Sequence, residues 1–315
     1  MDKIPSILKE YYDLDAANIL PQRGGWAALA FKVYCGNQAF FLKVYEKSRA
    51  STPKWTALID QYVPITVWLM QHSGLKGRLP VPVLTNSGAY KCEDDEGIYL
   101  LYEYIEGETV GEKALTAGQI AELSNMIAEL HLYGEEIPVE TKALKEDFTV
   151  PFLPQLRNTL DQEVHDELPS DIRELIIPHL DQINGLTDTV EKLSAELKNR
   201  NLRMALCHTD VHPWNLMQTD RQLMLIDWEG LKLAPVEADL MFLVDEPYYD
   251  DFVHIYRKVH NDFAINPDVL QFYRYRRKLE DIWEFVEQLL FDRQEAQERA
   301  VTLNHLSKEL NEIRG

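Results

Sequence analysis

Apolar and polar positions divide this chain into two textures. Residues 3–12 place apolar side chains at the spacing of a short helix. AALAFKVYC (27–35) and NQAFFLKVYE (37–46) alternate apolar and polar positions, and the Gly36-Asn37 pair between them predicts a hairpin. The preceding PQRGGW reads as a turn. Residues 55–72 predict one substantial helix with Pro64 at a break or kink. LPVPVLTNSGAY (79–90) and IYLLYEYI (98–105) predict further strands, with the acidic turn KCEDDEG between them. Beyond EYIEGETVGEK the period becomes helical, over 117–133, 152–166, 171–199 and, in pieces, 270–313. Only LRMALCH and RQLMLIDW read as short strands there. Strands followed by helices predict an α+β chain in two lobes. The expected boundaries are residues 1–102 for a small antiparallel-sheet N-lobe with one main helix, 103–110 for a hinge, and 111–315 for a larger, mostly helical C-lobe.

Composition narrows the class. The 315 residues are 45% hydrophobic and 27% charged, enough to bury a sizeable core. Lys and Arg number 32 against 52 Asp and Glu, a formal charge of -20, which disfavours nucleic acid and anionic membranes as partners. The excess is uneven. Residues 1–100 hold 11 basic and 10 acidic side chains, whereas residues 101–315 hold 21 and 42. Such a surplus reads either as a solvated face or as a surface that attracts a cation. Cys35, Cys92 and Cys207 form no spaced pair, and MDKIPSILKEYYDLD lacks the basic flank and apolar core of a signal peptide. No run approaches a membrane span. A cytoplasmic, reducing location is the expectation.

Motifs for P-loops, zincins, nucleophile-elbow hydrolases and zinc ribbons are absent. CHTDVHPWNLM is present instead, with His208, Asp210 and Asn215 in the order H-x-D-x-x-x-x-N, and Asp227 ends the apolar run LMLID. This set suits phosphoryl transfer from a nucleotide, where the protein mainly positions groups and neutralises charge. A carboxylate meets the acceptor hydroxyl, which suits Asp210. An amide oxygen and a second carboxylate hold a hard cation on the phosphates, which suits Asn215 and Asp227. Lys43, alternating with apolar neighbours in FFLKVYE, is the candidate for the non-transferred phosphates. His208 and His212 read as structural.

HTDVHPWNLM and LIDWEG, with KVY upstream, EADLMFL downstream and the helix GQIAELSNMIAELH, resemble the aminoglycoside phosphotransferase and choline kinase superfamily, from about Gly24 to Leu243. The resemblance implies a protein-kinase-like fold, ATP or GTP, Mg2+ and a small-molecule hydroxyl acceptor. It implies Asp210 as base, Asn215 and Asp227 as metal ligands, Lys43 on the phosphates, Asp239 bracing the catalytic loop, and Glu103 to Ile105 as a hinge bonding the nucleobase. Two departures stand out. Only Gly24-Gly25 represents a glycine-rich phosphate loop, and no Glu lies between Glu46 and Glu93 to pair with Lys43, which leaves Asp60 as the available carboxylate.

LAPVEADLMF leans toward the spectinomycin and aminoglycoside branch, and the acidic second part toward a cationic acceptor. Glu229, Glu237, Asp245, Glu246 and the acids of 161–167 are candidates to hold it. A metabolic kinase for choline, a sugar or an amino alcohol is the alternative, and an inactive nucleotide-binding module a third reading. Oligomeric state is not predicted.

Overall fold

The computed structural model describes residues 3–22, 27–160 and 168–313. The chain falls into two compact units, Met1–Ser48, Thr52–Lys145 and Arg203–Ala264 in the first, and Arg49–Ser51, Glu146–Leu202 and Ile265–Gly315 in the second. No described helix is long and apolar enough to cross a membrane.

The first unit opens with α1 (Ile4–Tyr12), followed by β1 (Asn18–Gln22), β2 (Leu29–Cys35), β3 (Gln38–Glu46), β4 (Cys92–Glu93) and β5 (Gly97–Glu103). These strands form one antiparallel sheet in the order β1-β2-β3-β5-β4. The β2–β3 hairpin turns at Gly36, whose φ of 59° falls where glycine pays no Cβ penalty. Register follows the alternation of the sequence. Phe31, Leu42 and Leu101 lie opposite one another on one face, and Ala30, Lys43 and Leu100 on the other. The first face is covered by Ile4, Ile7, Leu8 and Tyr12 of α1. Lys43 thus stands on the opposite face, beside the buried Tyr45 and Leu100, where Ile59, Tyr62 and Val63 of the following helix pack.

Three local expectations need correction. The helix expected over 55–72 is two helices, α2 (Thr52–Thr56) and α3 (Ile59–His72), and Pro64 lies inside α3. The break falls at Ala57-Leu58, and Pro64, the sixth residue of α3, forfeits only the bond to the Asp60 carbonyl and does not break the helix. The strand expected over 79–90 does not form. Pro80 and Pro82 have no N–H to donate, and only a bridge between Pro82 and Tyr102 and the Val83 N–H to Leu101 O bond (2.7 Å) remain. Conversely, β1 forms from NILPQ, whose Pro21 and Gln22 belong to the stretch PQRGGW expected to turn. It is an edge strand, where Pro21 is tolerated.

The same unit continues through β6 (Glu108–Thr109), α4 (Ala117–Leu130), β7 (Ala205–Cys207), β8 (Leu216–Gln218), β9 (Leu223–Leu225), β10 (Lys232–Ala234), α8 (Glu237–Leu240) and α9 (Tyr249–Tyr256). A capping box between Thr116 and Gln119 starts α4. The pair β7–β10 and the three-stranded sheet β6–β8–β9 are short and serve to hold the loops between them.

The second unit is helical: α5 (Leu153–Leu160), α6 (Ser170–Ile176), α7 (Leu180–Leu197), α10 (Pro267–Phe291) and α11 (Ala296–Glu312). The helix expected over 171–199 is interrupted at Ile177–His179, where Pro178 sits in a single 3-10 turn. The Arg276 guanidinium bonds the buried Glu146 carboxylate at 2.9 Å, and Arg299 bonds Asp171 through two nitrogens at 3.0 Å.

Candidate active site

The loop from β7 to β8 carries Asp210 and ends in a single 3-10 turn, Pro213–Asn215. Leu216 pairs with Leu225 across the β8–β9 hairpin, and the Ile226 N–H donates to Asn215 O at 2.9 Å. That register brings Asp227 next to the Asn215 turn although 11 residues separate them. The Asn215 amide nitrogen donates to Asp210 Oδ2 at 2.8 Å and to Asp210 O at 2.9 Å. Its carbonyl oxygen is therefore left for another ligand, and Asp210 is held in one orientation. His212 Nε2 lies 3.3 Å from the same Asp210 oxygen.

The loop is anchored from below by Asp239 of α8. Its carboxylate accepts from the His208 N–H at 3.1 Å and from the Thr209 N–H at 2.5 Å. His131, which follows α4, places Nε2 at 3.0 Å from Asp239 Oδ2 and Nδ1 at 2.9 Å from the Tyr256 hydroxyl. The tautomer that satisfies both carries its proton on Nε2. All of His131, Asp239 and Tyr256 is buried. Thr209 has φ of 67° and Asp227 φ of 64°, left-handed conformations that cost on the order of 1 kcal/mol each and are held by their surroundings. Gly230 is part of that support: a Cβ there would stand 2.5 Å from Thr209 Oγ1, whose hydroxyl donates to Gly230 O. His208 is fully buried, its Nε2 bonds Ile226 O at 2.9 Å, and burial pushes its pKa down. A neutral ring in that position packs and ties the loop, in agreement with a structural role.

From the sheet, Lys43 Nζ reaches Asp227 Oδ1 at 2.8 Å and Glu229 Oε1 at 2.5 Å. Tyr45 donates its hydroxyl to the same Glu229 oxygen at 2.5 Å. Burial alone would lower the ammonium's pKa, but the Asp227 and Glu229 charges outweigh it, and the shift is well upward. Burial likewise opposes ionisation of Glu229, and Lys43 overcomes it, so that its pKa falls below the usual value. Lys43 and Glu229 are therefore both charged and both sealed, with Glu229 8% exposed. Asp227 is 39% exposed and open to a ligand.

The structure thus brings Lys43, Asp210, Asn215 and Asp227 together in one unit. It does not bring Asp60 to Lys43. Asp60 pairs with Lys91 at 2.7 Å and is largely exposed, because the inward positions of α3 are taken by Ile59, Tyr62 and Val63. The counter-charge of Lys43 is Glu229, which also corrects its assignment to the acceptor. A usable signal was present: with no glutamate on the helix, the D-x-E spacing of Asp227 and Glu229 supplies the second acid. Glu237 is likewise buried rather than presented to an acceptor, whereas Asp245 is exposed. Glu103 ends β5 opposite Phe40, and Tyr104 N–H donates to Ala39 O at 3.0 Å, fixing the start of the connection that carries Ile105. Lys32 adds to it, with Nζ 2.9 Å from Glu106 and 3.6 Å from the Tyr104 ring centre. Gly24, Gly25 and the acids of 161–167 lie outside the described residues.

The sequence profile of the phosphotransferase enzyme family matches residues 18–273. No curated protein sequence matches the chain significantly. Among solved structures, a spectinomycin phosphotransferase in complex with ADP and spectinomycin superposes with a TM-score of 0.73 at 20% identity, covering 100% of this chain and 97% of that one. A microcompartment-associated aminopropanol kinase gives 0.65 at 12% identity, with 100% and 97% covered. A choline kinase from Streptococcus pneumoniae gives 0.61 at 13%, with 99% and 98% covered. These likenesses establish the protein-kinase-like fold, an antiparallel sheet followed by a helical region. With the family match extending across both the sheet and the catalytic loop, the chain belongs to the phosphotransferase enzyme family, the kinases that phosphorylate hydroxyl groups.

Proposed function

We propose that this kinase transfers the γ-phosphoryl group of ATP or GTP to a hydroxyl of a cationic small molecule, with an aminoglycoside-type or spectinomycin-like antibiotic as the favoured acceptor. The observation that carries the reading is the convergence of Asp210, Asn215, Asp227 and Lys43, drawn from segments up to 184 residues apart. In this reading residues 1–102 serve the nucleotide, 103–110 the nucleobase edge, and 111–315 the acceptor.

Asn215 and Asp227 fit a hard divalent cation such as Mg2+. The Asn215 amide nitrogen is committed to Asp210, which leaves an oxygen, and Asp227 is a partly exposed carboxylate. Bound there, the cation would neutralise charge on the phosphate oxygens. Lys43 exchanges its contact with Asp227 for oxygens of the non-transferred phosphates and keeps Glu229. Asp210 accepts the proton of the acceptor hydroxyl as that oxygen bonds to the γ-phosphorus. The bond from the γ-phosphorus to the bridging oxygen breaks, and the nucleoside diphosphate leaves.

Trp214 gives the acceptor an aromatic face. It precedes Asn215, is 58% exposed, and rests on Gly111, where a Cβ would meet the ring at 3.2 Å. Glu112, next to Gly111 in the chain, is exposed. An ammonium group over an indole gains about 0.5–2 kcal/mol, and the surrounding acids add long-range attraction. Trp214→Ala is expected to raise the acceptor KM about tenfold and to leave the nucleotide KM unchanged. Steady-state kinetics with spectinomycin, kanamycin and choline against neutral alcohols test both points. The kcat/KM of the cations should fall as salt rises, and a preference for neutral alcohols would overturn the acceptor class. The aminopropanol and choline kinase likenesses favour a second reading, a metabolic amino-alcohol kinase, which the same series separates.

A further inference from the structure

We propose that Tyr45 is a positioning residue: it fixes Glu229 as the permanent counter-charge of Lys43, so that the lysine stays at the site when Asp227 turns to the metal-nucleotide. This deepens the functional reading above and rests on it.

Lys43 and Tyr45 are two residues apart on β3 and so share one face of the sheet. Both donate to one oxygen, Glu229 Oε1. The two acids that meet Lys43 differ in kind. Asp227 is accessible and has a second use as a metal ligand, whereas Glu229 is sealed beneath the sheet and Tyr45 is 1% exposed. A sealed carboxylate keeps one orientation only if its lone pairs are matched by fixed donors, and Tyr45 is the neutral donor that does not leave when the charges rearrange.

The helix that faces this cluster supplies no acid. Tyr62 of α3 is buried there beside Tyr102, and Asp60 is paired with Lys91. Strand β3 and the turn after β9 therefore hold Lys43 between them. The position of the lysine depends on Tyr45 and Glu229 and not on an ion pair to α3.

The test is the affinity of the magnesium complex of AMP-PNP, by calorimetry, for the wild type, Tyr45→Phe, Glu229→Gln and the double variant. Tyr45→Phe is expected to weaken binding about tenfold, and in the Glu229→Gln background to weaken it no further, since both act along one path. In EDTA, where Asp227 still shares Lys43, Tyr45→Phe is expected to change AMP-PNP affinity less than twofold. A merely structural defect would weaken binding with and without the metal. Wild-type affinity in Tyr45→Phe, or losses that add in the double variant, would overturn the proposal. Should Tyr45→Phe not fold, Tyr45→Leu, which likewise removes the donor, takes its place: loss of magnesium-dependent affinity with no further loss in the Glu229→Gln background supports the proposal, and wild-type affinity or additive loss overturns it. A wild type that binds AMP-PNP no better with magnesium than in EDTA contradicts the functional reading itself, and the proposal falls with it.

Discussion

Asp210→Asn is expected to lower kcat by about a thousandfold or more while the affinity for the magnesium-nucleotide stays within about twofold. The substitution keeps the shape of the side chain and leaves an oxygen to accept from the Asn215 amide, which bonds both Asp210 Oδ2 and the Asp210 backbone. It removes only the ability to take a proton. Lys43, Asn215 and Asp227, the groups assigned to the nucleotide and metal, keep their places. Rapid-quench kinetics and calorimetry on one preparation separate the two effects. Transfer retained at a tenth of the wild-type rate would remove Asp210 from its role as base.

The second large effect falls on stability. Asp239 is fully buried and accepts from three donors, the His208 and Thr209 backbone N–H groups and His131 Nε2. Asp239→Asn replaces one accepting oxygen with a donor that faces donors. Breaking a buried, paired charge in this way costs about 3–5 kcal/mol, a large part of the stability of an ordinary domain. Thr209 would lose the partner that keeps its left-handed backbone, and Asp210 is the next residue. Urea unfolding is expected to show the loss, and kcat should fall more than nucleotide affinity. A variant with unchanged unfolding midpoint would show that the loop holds itself.

How much of this was legible in the sequence depends on the distance over which each feature is specified. Asp210, Asn215 and Asp227 lie within 18 residues, on the β8–β9 hairpin and the loop that leads into it, so spacing and an apolar run sufficed. Lys43 was legible from strand alternation, which sets the face it occupies. Glu229 was visible as an acid but not as the partner of Lys43, because that pairing joins positions 186 residues apart. Tyr45 read as one more apolar strand position, since nothing local distinguishes a packed tyrosine from one that bonds a carboxylate. His131 and Tyr256 meet only once α4 and α9 pack together. The helical periodicity survived in outline, but Pro64, Pro80, Pro82 and Pro178 acted according to position. A proline in the second turn costs α3 one bond without breaking it, two in alternate positions prevent a strand, and one between helices makes a boundary.

The central claim is metal-dependent phosphoryl transfer to a cationic small alcohol. Its most direct measurement is 31P NMR of the wild-type protein with ATP or GTP, in Mg2+ and in EDTA, against spectinomycin, aminoglycosides, macrolides, choline and homoserine. A new phosphomonoester signal is predicted with at least one cationic acceptor, present in Mg2+ and absent in EDTA. Tight binding of the magnesium-nucleotide with no phosphomonoester from any acceptor would contradict the account.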